Sequence, residues 1–161
     1  MDEIRCSVNY LPDETRQGPG RLVGRLLSYG EQIVHGQGRE TFESRSLTFG
    51  DDGIVFYDSH DVTPRRPVAI VHPENRDTEA VVDFVLPDTG AGRRVAKRFR
   101  EGSYKGLSIE FRSVREKYVA GVRRISEALV NGFAAVESPA YPSAQVEVRS
   151  KRKQRNPYSW R

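Results

Sequence analysis

Apolar and polar residues alternate most cleanly at Gly106-Leu107-Ser108-Ile109-Glu110-Phe111-Arg112. In a strand, Leu107, Ile109 and Phe111 then share one face and Ser108, Glu110 and Arg112 the other, so the apolar set can enter a core while Ser108 stays accessible. Similar short runs predict strands at 21–27, 47–49, 54–57, 68–71, 79–86, 118–125, 128–136 and 145–148. In the first of these, Leu22 and Leu26 share a face and Val23 and Leu27 are offset by Gly24, where a glycine suggests a bulge or a close approach. One helical pattern interrupts the strands. Pro87-Asp88-Thr89 offers a capping oxygen, Val95 and Phe99 lie one turn apart among Arg93, Arg94, Lys97, Arg98 and Arg100, and Gly102 is a fitting stop.

Seven or so short strands with one clear helix predict a mostly β protein with flanking helices, of α+β type. A closed or partly closed antiparallel β-barrel, or a sandwich, meets that pattern. The 161 residues suffice for one domain with its own core. Residues 1–19, with Pro12, Gly18 and Pro19, read as an N-terminal arm, 20–148 as the domain and 149–161 as a basic tail.

Charge changes this picture little. The net charge is +4, but Lys151, Arg152, Lys153, Arg155 and Arg161 place five positive charges in the last eleven residues, leaving a nearly neutral remainder. Such a tail fits a solubilising arm, a weak contact with acidic scaffold or nucleic acid, or a segment removed by self-cleavage. The single cysteine, Cys6, excludes an internal disulfide framework and a Cys-rich zinc site, and nothing implies a metal or cofactor. No apolar run approaches the ~20 residues of a membrane span. With no signal-peptide pattern at the start, a cytoplasmic protein without membrane contact is expected.

Serine chemistry needs a base within hydrogen-bond reach. His60 follows the apolar run 54–57 in Ser59-His60-Asp61, His35 lies in a Gly-rich loop, and His72 precedes Pro73. Asp58 would share the face of His60 if the strand continued, Asp83 interrupts the apolar residues around it, and Glu127 and Glu137 are further acids. Arg123 and Arg124 could supply an oxyanion contact. The segment around Ser108 lacks the second glycine and following helix of a nucleophile elbow, which disfavours an α/β-hydrolase.

Taken in order, Gly20 to Gly30, Arg39-Glu40-Thr41-Phe42-Glu43, Ser59-His60-Asp61, the strand and helix of 81–99, Glu101 to Phe111 and Ser138-Pro139-Ala140-Tyr141-Pro142-Ser143-Ala144 resemble the tailed-bacteriophage prohead proteases over residues 20–148. The resemblance implies a fold similar to the herpesvirus assembly proteases, His60 as base and Ser108 as nucleophile. It further implies a homodimer acting on scaffold and major capsid precursors inside the procapsid, in the host cytoplasm. The family's acid, seven positions before the Pro-Ala pair, falls on Gly132. Asp58, Asp83 or a non-standard third member are therefore the options, with a catalytically silent capsid-assembly or scaffolding factor as the alternative function.

Overall fold

The computed structural model describes residues 3–6, 10–11, 19–36, 38–59 and 64–138. In chain order the elements are β1 (Glu3–Cys6), β2 (Tyr10–Leu11), β3 (Arg21–Ser28), β4 (Gln32–His35), β5 (Gly38–Phe42), β6 (Leu47–Phe49), β7 (Ile54–Asp58), β8 (Arg66–Val71), β9 (Glu74–Asn75), β10 (Glu79–Val85), α1 (Gly90–Arg100), β11 (Gly106–Val119) and β12 (Val122–Val136). The segments read as separate strands at 118–125 and 128–136 are the turn and return arm of one long hairpin. The expected strand at 145–148, the Pro-Ala-Tyr-Pro segment and the basic tail lie outside the described residues.

The larger, eight-stranded sheet is mixed. β11 has β1 on one side and β12 on the other, both antiparallel. The far edge of β12 takes β5, β6 and β7 in succession, all parallel, with β4 beyond β5 and β8 beyond β7. The smaller sheet runs β2-β3-β10-β9 and is antiparallel. The sheets do not close into the expected closed or partly closed barrel among the described residues, where β1 pairs only with β11, β4 with β5 and β8 with β7. One long strand edge is shared by three short strands instead of closing on β1. The expected flanking helices reduce to α1 among the described residues.

An aromatic cluster joins the two sheets. Phe56 and Phe133 stack with centroids 4.8 Å apart, and Phe84 of β10 meets them edge-on at 5.5 and 6.2 Å. This makes Ala80, Val82 and Phe84 the inward side of β10, and Asp83 falls outward, where Arg21 pairs with it at 2.6 Å. The bulge in the smaller sheet falls at Leu26, since Ala80 pairs with Leu27 and Val81 with Arg25, and not at Gly24.

The helix follows its sequence signals. Thr89 Oγ1 accepts from the Gly92 amide at 3.1 Å, and Val95, Ala96 and Phe99 are buried. Its end is a Schellman motif: Gly102, at φ +75°, donates to the Phe99 carbonyl and Ser103 to that of Arg98. The stretch read as an N-terminal arm contributes a strand to each sheet, β1 to the larger and β2 to the smaller. Among the described residues no helix is long and apolar enough to cross a membrane.

Candidate active site on the outer face of the larger sheet

Strand register decides which residues meet around Ser108. Ser108 pairs with Cys6 on one side and Ala134 on the other, and Ala134 pairs in turn with Tyr57. One row along, Glu110 pairs with Gly132, and Gly132 with Val55. The intervening row, Ile109, Phe133 and Phe56, points into the aromatic core. Side chains alternate along a strand, so Ser108, Glu110 and Tyr57 lie on the opposite, outer face.

That face is covered as well. Ser108 is only 2% exposed and Glu110 7%, so the expectation of an accessible serine is corrected. Part of the cover comes from Arg65: its guanidinium pairs with the Glu110 carboxylate and lies 3.7 Å over the Tyr57 ring. The ring in turn lies over Gly132, where an added Cβ would come within 3.2 Å of Tyr57 Cε2 and 3.0 Å of the Val55 carbonyl oxygen. Gly132 is thus the residue that lets this layer sit down on the sheet.

The chain leaves β7 beside the Ser108 row and is back over the Glu110 row at Arg65. His60 belongs to the segment between these points and lies outside the described residues. The continuing strand on which a shared face for Asp58 and His60 was conditional ends at Asp58, and Ser59 adopts φ +67°. Asp58 itself follows Tyr57 and points inward. It is fully buried, accepts the Tyr104 hydroxyl and lies 3.0 Å from Arg94 Nε. The Arg94 N–H is not aligned on the carboxylate, so this contact is an ion pair without a hydrogen bond. Burial first, and the Asp58 contact second, hold the Tyr104 phenol above its ordinary range.

The other acids and bases are placed elsewhere. Asp83 is on the outward side of the smaller sheet, with the aromatic core between it and the outer face that carries Ser108. His72 is exposed and borders a groove on that same outward side with Arg25, Glu74, Arg76 and Asp83. His35 ends β4, and its side chain lies outside what is described. Glu127 lies 3.8 Å from Arg115 on the projecting hairpin, and Glu137 is exposed just after β12. Arg123 is held by Glu40 at 3.2 Å and by Glu116. It precedes Ala134 by eleven positions on β12, roughly 35 Å at the rise of a strand. Neither Arg123 nor the neighbouring, exposed Arg124 is brought to Ser108.

Glu110 was absent from the acids considered from sequence. Its signal was present, since it shares the alternation face of Ser108, but its pairing with Gly132 and Arg65 depends on the fold.

Ser108 and Glu110 thus lie buried together on the outer face of a mostly β fold. The sequence profile of the family described as caudovirus prohead serine protease matches residues 75–157, just over half of the chain. The chain belongs to that family. The matched segment contains Ser108, Glu110 and Gly132 and begins after His60. Comparison with curated proteins returned no match. Among solved structures, the capsid assembly protease of bacteriophage T4 is similar in fold, with a TM-score of 0.51 and 16% identity, covering 86% of this chain and 99% of that one.

Proposed function

We propose that the protein is a serine endopeptidase of procapsid maturation, with Ser108 as nucleophile and His60 as its base. It cuts scaffold and major capsid precursor proteins inside the immature head, in the host cytoplasm, and works as a homodimer. Membership of the prohead protease family supports the reaction class. What supports the residue assignment is local: Tyr57, in the Ser108 row, lies shortly before His60 in the chain, and Arg65, which pairs with Glu110, lies shortly after it.

The base takes the Ser108 proton as Oγ attacks the scissile carbonyl carbon, and the resulting imidazolium protonates the departing amine. Water then repeats the sequence on the acyl-enzyme. Donors for the tetrahedral oxyanion must lie near Ser108, which disfavours Arg123 and Arg124.

One observation favours a second reading. The slight exposure of Ser108 is what a catalytically silent assembly factor would show. Labelling with a fluorophosphonate separates the two. The enzyme reading expects a label on Ser108 that is lost in Ser108→Ala and His60→Ala while both variants stay folded, and retained in His35→Ala and His72→Ala. Folded wild-type protein that takes no label supports the silent factor, and a loss confined to His72→Ala moves the base.

A further inference from the structure

Three carboxylates are buried among the described residues: Glu40, Asp58 and Glu110. Glu40 lies far along the hairpin, in register with Arg123, and is taken up by that residue. Asp58 faces the core side and is taken up by Tyr104 and Arg94. Glu110 differs from both. It stands two positions from Ser108 on the same strand and the same face.

A charge is costly to hold in such a place. Moving a carboxylate out of water without compensation is strongly unfavourable, and Arg65 supplies the compensation here. The guanidinium is itself 40% exposed and is braced by the Tyr57 ring. The strand opposite leaves room, because it presents Gly132, without a side chain, and the small Ala134. Among the described side chains, Arg65 and Tyr57 are thus the charged and titratable groups that meet this face. The outcome is an anion retained beside a serine, on a strand where an apolar residue would pack without such compensation.

We propose that Glu110 is the positioning acid of the site: its carboxylate orients the base of Ser108 and stabilises the imidazolium that forms when that base accepts the serine proton. The inference rests on the serine-peptidase reading given above. An opposite charge near an imidazole favours its protonated form. The carboxylate therefore raises the base's pKa, and removing the charge lowers it. A residue that merely braced the loop would change the rate without moving that titration.

The test measures the second-order rate of fluorophosphonate labelling at Ser108 between pH 5 and 9, in wild type, Glu110→Gln and the exchanged pair Glu110→Gly with Gly132→Glu. In labelling, the Ser108 proton passes to the base while Oγ bonds to phosphorus and fluoride leaves. Glu110→Gln should fall at least about 100-fold, the lower end of the usual contribution of general acid–base catalysis, and its acid limb should shift to lower pH. The exchanged pair sits directly across the ladder, so it returns a carboxylate to the same row; the Cβ at 132 meets the Val55 carbonyl oxygen at 3.0 Å and the Tyr57 ring at 3.2 Å, so that layer must give by a few tenths of an ångström, and part of the rate should return. A wild type that labels, with Glu110→Gln matching it in rate and pH profile, overturns the inference and leaves the peptidase reading standing. A wild type that does not label overturns both. If Glu110→Gln does not fold, the exchanged pair decides: folded and labelling supports the role, folded and inert refutes it.

Discussion

The Asp58 carboxylate accepts the Tyr104 hydroxyl, lies beside Arg94 and has no exposed surface, so its removal should register in stability before it registers in chemistry. Tyr104→Phe keeps the ring, which packs edge-on against Phe99 at 5.6 Å, and deletes only the donor. A hydrogen bond to a charged group contributes about 1.5–3 kcal/mol, and urea denaturation should show a loss of that order. The Ser108 labelling rate should stay within a few-fold of wild type, because Tyr104 and Asp58 face away from it. A rate that collapses in a variant of unchanged stability would bring Asp58 into the chemistry. A common face for Asp58 and His60 was conditional on a continuing strand, and β7 ends at Asp58, with Ser59 at φ +67°.

At the scale of elements, local signals were readable and long-range ones were not. The alternation at 106–111, the apolar runs of β6 and β7 and the capped helix all depend on neighbours within a few residues, and all appear as expected. Asp83 looked misplaced because its partner, Arg21, lies 62 positions away. The burial of the polar side of β11 was likewise hidden, since Arg65 comes from 45 residues before Glu110. The strands β4 and β5 are mostly polar and gain their place by pairing, and β1 lies in a stretch whose composition suggested an arm. Of the candidate site, the alternation face of Ser108 was legible, whereas the pairing of Glu110 with Gly132 needed the ladder. The helix start offers a direct check. Thr89→Ala removes one cap and should cost about 1 kcal/mol. Gly92→Ala should cost clearly more, because its Cβ would fall 2.0 Å from the Pro87 carbonyl oxygen and the helix must shift to admit it. Thermal denaturation of both variants tests this order, and a Gly92→Ala protein as stable as Thr89→Ala would contradict it.

For the molecule as a whole, two tyrosines tie separate parts together through hydroxyl donors that alkali can remove. Tyr29, at the end of β3, donates to Asn75 Oδ1, and the Asn75 amide donates to the Leu47 carbonyl at 2.9 Å, which links the smaller sheet to β6 of the larger. Tyr104 links the segment before β11 to the end of β7. Burial is the main cause that pushes Tyr29 up to about 12, against smaller lowering effects of Leu47, Asn75 and Arg45, and it raises Tyr104 too. The sign follows from linkage. In the unfolded chain a tyrosine releases its proton near pH 10, while the folded protein keeps these two, so above that point the unfolded state binds fewer protons and stability falls with rising pH. The contribution is complete below about pH 10 and is lost as pH climbs toward 12. Melting temperatures taken from pH 8 to pH 11.5 should therefore decline beyond pH 10. The decline should be shallower in Tyr29→Phe and shallower again when Tyr104→Phe is added, because a phenylalanine has no proton to release. Wild type and double variant falling in parallel would show that neither phenol carries the alkaline sensitivity. A decline that flattens stepwise, with tyrosinate absorbance appearing only as the fold is lost, would show that both phenols hold their protons because the fold buries them.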